Sequence, residues 1–573
     1  MMRILVNQTT RMGDMIQTSP LIHQLHAQYP EAHITAMVRR MGRTIAEHHP
    51  DVNDVLVYDE DELFLDLTAQ DSDRLLRVYE LAEKRVQQLR EGRFDIAYNM
   101  THSIASAMLL KLAGIPKVVG AHLSDDWQFL LRGPWPTYFF TSVYSREYND
   151  LNLCDITRQF AEDAPPCKRL CLELRPAERD FVSTLFLEHG IGAGAFVACL
   201  QLGASEENKR WSAVRFAELA KLLAERHRAH VFLLGVQEEA RLGEAFERFA
   251  PGLAVPLYGK TNVPQAAAVL ERANVLVTND TGTMHLAAAV NCPTVLVSVG
   301  HVHYRETGPY GEGHVAVEWR RQYLGRSDFV PGGLEEREQI QAAHVLAAVE
   351  LVLEKDRGPL PSIPESDAFQ QVDLLMTRFA PDDCLQFYPV IRRVLTQRDY
   401  TRMAYRAMWL HHLRERHDKR AEEESLTQLL GCYDGPAHDV VALWRDELGT
   451  GFADLAALAR EGIEATEKLL RLLQSGQSMA KAKEVVAGLM RLDEQCRLHG
   501  ELYPACRPLI LMARFERDNL EGADPLFLAE TTLNIYRACF ARARLMEKKL
   551  GVVADLWQKQ WQERGGRVLE YKR

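Results

Sequence analysis

The stretch Val277–Ser298, VTNDTGTMHLAAAVNCPTVLVS, decides the fold. Ala273–Val277, which leads into it, and Thr294–Val297 near its end are short apolar runs that predict buried strands. The alanine-rich Met284–Val290 predicts a helix between them. Strand, polar loop, helix, strand is one βαβ unit. Such a unit holds its loop at the carboxyl end of the first strand and leaves the first N–H groups of the helix without intrahelical partners. Hydrogen bonding and the helix dipole then both favour an anion there. The loop Asp280–His285 is therefore a candidate phosphate seat.

The same alternation runs outward in both directions. Strands at Arg3–Val6, Ile34–Val38, Val55–Tyr58 and Ile96–Tyr98, with a helix over Asp14–Gln28, predict a doubly wound, mostly parallel sheet over residues 1–165. Glu162–Pro176, EDAPPCKRLCLELRP, breaks the pattern, because Pro165-Pro166 cannot continue a helix; it reads as a hinge or crossover. A second α/β domain over 176–355 has strands near Phe196–Gln201, Val231–Leu234, Val275–Val277 and Val295–Val297, and closes with a helix over Ile340–Leu353. The Pro-rich stretch at 356–366 is a linker. From 367 to 573 apolar residues recur at helical spacing, which predicts an all-helical third domain without a fixed repeat. Trp557 and Trp561, four apart, are expected to pack into its core rather than to form a membrane-facing stripe.

Composition narrows the function class. A chain of 573 residues is too long for one ordinary core, and its 47% hydrophobic and 26% charged residues are those of a globular protein. A formal charge of -11 argues against a nucleic-acid coat. No apolar run approaches the ~20 residues of a membrane span, and the N-terminus is too short in apolar residues for a signal peptide, so a cytoplasmic location is expected. Of ten cysteines only Cys167 and Cys171 sit close together, with no second pair or nearby histidines to complete a zinc site; reduced structural thiols are expected.

Three loops carry chemistry. In NQTTRMGDMIQTSP, Gly13 permits close backbone approach, and Asp14 at a helix start either caps the helix or, kept ionised by the dipole, accepts a proton from a hydroxyl. In LQLGASEENKRWSAVRF, Lys209 and Arg210 can neutralise a phosphate while Trp211 packs beneath them, although loop lysines are commonly just solvated. In Asp280–His285, backbone donors adjoin a carboxylate and an imidazole; a plain N-cap followed by a buried histidine would look the same.

Taken together, RMGDMIQTSP, LGASEENKRW and NDTGTMHLAAA, in this order, resemble glycosyltransferase family 9, the ADP-heptose:lipopolysaccharide heptosyltransferases, over about residues 2 to 353. The resemblance implies an α/β GT-B fold, two Rossmann-like domains facing a cleft, here followed by the helical domain. It also implies inverting, metal-independent sugar transfer with no cofactor beyond the nucleotide-sugar co-substrate, for which ADP-heptose is expected. By matched position, Asp14 is the implied catalytic base and Lys209 the implied diphosphate ligand. Thr281, Gly282, Thr283 and Met284 offer backbone N–H groups to the diphosphate, His285 lies close to it, and Asp280 holds donor-sugar hydroxyls. Glu239 is implied at the donor nucleotide, with Glu238 competing for the place. Gln201-Leu202 replaces the family's usual His-Pro or Asn-Pro, and NQTTR lacks the lysine of the heptosyltransferase I type.

The expected function is transfer of a sugar, heptose first, to a lipopolysaccharide core or related glycan. The alternatives are a protein acceptor recruited by the helical domain, or a non-catalytic nucleotide-sugar-binding scaffold. Expected partners are the donor and a glycan or glycolipid acceptor, with no nucleic acid. Peripheral contact with the inner membrane and oligomerisation through the helical domain stay open at this point.

Overall fold

In the computed structural model, which describes residues 1–58, 71–161, 164–319, 334–354, 369, 371–476 and 479–564, β1 (Arg3–Gln8) is the centre of the first sheet. It pairs in parallel with β2 (His33–Val38) on one side and β4 (Ile96–Asn99) on the other, and β3 (Asp54–Val57) adds outside β2. The order β3-β2-β1-β4 reverses direction at β1. That switch point opens a crevice at the carboxyl end of β1, and the loop carrying Thr10 and Arg11 leaves from there. The helix that follows spans Met12–Gln28, two residues earlier than the sequence suggests, because Arg11 in extended conformation is its N-cap.

β5 (Lys117–Leu123) and β6 (Phe129–Arg132) form an antiparallel pair. The second sheet of the first unit has eight strands, in the order β14-β13-β12-β11-β10-β7-β8-β9. At its middle, β7 (Val197–Gln201) pairs in parallel with both β8 (His230–Leu234) and β10 (Val275–Thr278). β9 (Ala254–Pro256) flanks β8, while β11 (Thr294–Ser298) and β12 (Val315–Trp319) continue from β10, all parallel. The reversal falls between β7 and β10, so the loops after these two strands open side by side. Leu200, Val277 and Val297 pack with Phe216, Val345 and Val349 from helices Ala213–His227 and Ala342–Leu353. Each such side chain, fully buried, contributes about 1.5–3 kcal/mol.

The expected start of the helical domain needs correction. Val372–Phe379 (β13) and Leu385–Pro389 (β14) are antiparallel strands on the β12 edge, not the start of the helical domain. The turn between them is closed by Asp383 in left-handed conformation, φ 64°. The linker at 356–366 lies outside the described residues.

Domain limits differ as well. The chain divides into one unit of residues 1–101, 113–117 and 151–392, and another of 102–112, 118–150 and 393–573. Part of the expected 1–165 domain thus folds with the C-terminal helices. Asp150, 1% exposed in its side chain, receives Arg402 at 3.2 Å, and Asn519 exchanges hydrogen bonds with both backbone groups of Leu131 at 2.7 and 3.0 Å. Within this second unit the helices His438–Gln474 and Pro525–Glu563 lie along one another. Gly462 permits it, since a Cβ there would come within 2.3 Å of the Tyr536 ring. Trp557 is 1% exposed and donates to the Pro436 carbonyl at 3.2 Å, as expected of a core residue. All ten cysteines are free, and all but Cys432 are buried.

Candidate functional site

Within the first unit, the starts of two helices meet. A Cβ at Gly13 would stand 3.1 Å from His285 Cδ2, and one at Gly282 would stand 2.6 Å from Met12 Cε and 3.8 Å from the Gly13 nitrogen. A Cβ would be tight against the His285 ring at Gly13 and would displace the Met12 methyl at Gly282, so the two backbones run close together where the Met12–Gln28 helix, carrying Asp14, meets the start of the Gly282–Ala289 helix. Asp14 Oδ2 accepts from the Thr10 hydroxyl at 2.7 Å and from the Arg11 N–H at 3.1 Å. Asp14 therefore does cap its helix, with the rest of its carboxylate left for other partners.

The loop after β10 forms the opposite wall. Thr281 is the N-cap of its helix, and the Met284 N–H bonds back to the Thr281 carbonyl at 3.1 Å. Met284 is thus removed from the expected set of phosphate donors. The N–H groups of Thr281, Gly282 and Thr283 precede any intrahelical acceptor. His285 is 5% exposed, and burial, opposed only by the charge of Asp14, pushes its pKa down to about 4. It is a neutral imidazole at any ordinary pH, and among the described residues its buried Nδ1 has no hydrogen-bond partner.

Lys209 reaches in from the loop after β7. Its Nζ lies 3.9 Å from Asp280 Oδ2, with both side chains largely buried. Burial raises the Asp280 pKa, while Lys209, Arg11 and His301 pull it back. Arg210, expected beside Lys209 at a phosphate, instead grips the Ala204 carbonyl through Nε at 3.2 Å and Nη2 at 2.9 Å, which shapes its own loop. Trp211 packs beneath as expected, 1% exposed, with Nε1 donating to the Ile340 carbonyl at 2.8 Å.

Asn279, which the sequence reading passed over, ties the two loops together. Its Nδ2 donates to the Leu202 and Gly203 carbonyls at 3.0 and 3.1 Å, and its Oδ1 accepts the Trp211 N–H at 2.9 Å. The residue is fully buried. Asn279→Ala leaves three buried polar groups unmatched and is expected to cost about 2–4 kcal/mol in chemical denaturation. His301 was also missed. It follows Gly300, which at φ 69° turns the chain against the Asn208 carbonyl, and its Nδ1 lies 3.4 Å from Asn208 Nδ2.

Glu239 and Glu238 are separated by geometry. Glu239 Oε2 accepts from Gln201 Nε2 at 3.0 Å and from the Val236 N–H at 3.1 Å, and its Oε1 fills the space where a Cβ on Gly203 would stand, only 1.6 Å away. Glu238 is exposed. Gln201, two residues before Gly203, is thus the partner that orients Glu239.

The site joins a carboxylate, a buried ammonium and a helix start with open N–H groups. Residues 83–324 match the profile of glycosyltransferase family 9 (heptosyltransferase), a span that holds Lys209 and Asp280–His285 and begins after Asp14. Over that span the chain is similar to glycosyltransferase family 9. It is 28% identical over 308 residues to lipopolysaccharide heptosyltransferase 2 of Escherichia coli K12, covering 51% of this chain and 82% of that protein. It is 27% identical over 306 residues to lipooligosaccharide heptosyltransferase 2 of Haemophilus influenzae, covering 51% and 82%. The solved structure of E. coli ADP-heptose lipopolysaccharide heptosyltransferase II aligns with a TM-score of 0.47 at 22% identity, over 62% of this chain and all of that one. The chain is an enzyme, a glycosyltransferase of heptosyl type. Among its described residues no helix is long and apolar enough to cross a membrane.

Proposed function

We propose that the enzyme moves a heptose from ADP-heptose to a lipopolysaccharide core or related glycan, with inversion and without a metal ion, in a GT-B cleft between the two sheets of the first unit. The relatives' names support the sugar and the acceptor class. The observation that carries the mechanism is the contact of Gly13 with the Gly282–His285 helix start, which sets a carboxylate beside an anion seat.

In this reading the donor diphosphate lies on the Thr281, Gly282 and Thr283 N–H groups and against Lys209. Asp280 accepts hydrogen bonds from donor-sugar hydroxyls, and Glu239 from the nucleotide. Asp14 takes the proton of the acceptor hydroxyl as that oxygen bonds to the anomeric carbon. On the far face the bond to the diphosphate oxygen breaks, and its electron pair leaves with the nucleotide, where Lys209 and the helix start meet the growing charge. Neutral His285 adds no competing charge.

Thr10 serves both protonation states of the base. Its hydroxyl lies 2.7 Å from Asp14 Oδ2 and 2.6 Å from Gln8 Oε1, yet has one proton to give. With Asp14 ionised, Thr10 donates to it. Once Asp14 holds the acceptor's proton, it donates to Thr10, which turns to Gln8. Gln8 is held in place by its own bond to Thr18 at 3.1 Å. Thr10→Val removes the hydroxyl that bonds Asp14, so kcat is expected to fall and Thr10→Ser to restore it; a kcat identical to wild type in Thr10→Val would dismiss the relay.

The proposal as a whole is tested by calorimetric titration of the full-length enzyme with nucleoside diphosphates and their sugars, ADP-heptose included, followed by NMR of the product's anomeric centre. Selective binding of the ADP-linked donor and inverted product are expected. Binding to no member of the panel would overturn the reading.

A further inference from the structure

The second unit carries a side-chain cluster that sugar transfer does not use. His411 lies in the last turn of the Gln397–Leu413 helix, His417 in the connection that follows, and Glu422 in the first turn of the Lys419–Leu430 helix. The spacing is His-x5-His-x4-Glu. The corner is set by Asp418, whose carboxylate caps the second helix by accepting from the Arg420 and Ala421 N–H groups at 2.9 and 3.0 Å. It folds the three side chains onto one another. One ligand atom from each lies within 4.8 Å of the other two, the imidazole centroids are 3.8 Å apart, and His417 Nε2 is 2.9 Å from Glu422 Oε2.

From this geometry we infer that His411, His417 and Glu422 form a binding site for a divalent transition-metal ion, best matched by Zn2+, at the corner between two helices.

Two imidazole nitrogens and one carboxylate oxygen are a three-ligand set that suits zinc and leaves a fourth position for water. An independent observation points the same way: the Nδ1 atom of His411 is buried and, among the described residues, has no hydrogen-bond partner. A buried imidazole nitrogen without a partner loses hydration and gains nothing in return, a deficit that coordination removes.

Lys549 is the competing influence. From the Pro525–Glu563 helix its ammonium bonds both oxygens of Glu422 at 2.6 Å, and it is nearly fully buried. A carboxylate oxygen has two lone pairs, so Oε2 can keep Lys549 and exchange its bond from His417 for a metal. Lys549 then acts as the outer partner that orients a ligand carboxylate. Its positive charge also weakens the attraction for a cation, so the site is expected to be weaker than an all-neutral one. Bound metal would pin two successive helices and, through Glu422, the long helix that carries Lys549. Its effect falls on the stability of this unit, not on the transfer step.

The test uses the full-length protein, stripped with a chelator and dialysed. Zinc per chain is measured by plasma mass spectrometry, Co2+ uptake by visible absorption, and unfolding by heat with and without Zn2+. His411→Ala and His417→Ala are measured alongside, with circular dichroism at low temperature as the folding check. Expected are one zinc per chain, a visible Co2+ band and a zinc-dependent rise in the unfolding midpoint, all lost in both folded variants. If the stripped wild type takes up no zinc, or the folded variants take up as much as wild type, the site does not exist. Because Lys549→Ala or Glu422→Gln would leave a buried charge unpaired, neither is used.

Discussion

Asp14→Asn is expected to lower the transfer rate by about 10²–10⁴-fold, the range of a lost general base, while donor affinity stays near wild type. The substitution isolates basicity. Asparagine has the volume of aspartate and an oxygen that can still accept from the Thr10 hydroxyl and the Arg11 N–H, now 2.7 and 3.1 Å away. The helix start should therefore persist, and with it the contact of Gly13 with His285. Donor binding depends on groups across the seat, Lys209 and the helix N–H groups, and has no need of a base. What disappears is the acceptor for the hydroxyl proton. A folded Asp14→Asn enzyme with wild-type turnover would exclude Asp14 as base and return it to the capping role that its hydrogen bonds already show.

Asp14 was legible in the sequence because it stands next to Gly13 at a predicted helix start. The same holds for Lys209 and for Asp280–His285, since each follows a strand that reads as buried and precedes a helix. What a strand-to-helix turn does not reveal is which groups it uses internally. Arg210 beside Lys209 and Met284 beside Thr283 looked equivalent to their neighbours, yet one bonds Ala204 and the other closes its own helical turn. Conversely, Asn279 reads as an ordinary loop residue until β7 and β10 are placed side by side, when its two amide atoms span the gap. That Glu239 packs against Gly203, which belongs to a different strand's loop, while Glu238 is exposed, could not be read from the sequence.

The same limit explains the misplaced domain boundary. β13 is buried on both faces from Val372 to Thr377, with only Arg378 and Phe379 half-buried, so the period-2 alternation that marks a half-exposed strand is missing. The turn at Pro381–Asp383 was the available signal, and the helical periodicity from Gln397 onward masked it. That residues 118–150 fold with helices some 250 or more positions later rests on pairs such as Asp150 with Arg402, which no local pattern encodes.

Lys209→Ala is expected to weaken donor binding and to slow transfer further at saturating donor, by about 10²–10³-fold in kcat if its ammonium meets the charge on the leaving diphosphate. The two effects are separable. An ammonium that only attracts the donor's existing charges binds ground state and transition state alike, and its loss raises the donor Kd while kcat stays unchanged. One that strengthens as the glycosidic bond breaks lowers kcat as well. The site favours the second outcome, because Lys209 is 13% exposed in its side chain and lies 3.9 Å from Asp280 Oδ2, in surroundings dry enough to raise the Asp280 pKa. Charge interactions there are less screened than at the surface. Removing Lys209 also takes away the largest influence holding Asp280 ionised against burial, so part of the loss should be recoverable at higher pH, where Asp280 stays charged. Lys209→Arg keeps the charge but spreads it over a wider planar group, and should restore donor binding better than turnover. Arg210→Ala serves as the control: it loosens the Ala204 anchor without touching the charge at Asp280, so a loss as large as that of Lys209→Ala would assign the effect to loop shape and not to the ammonium.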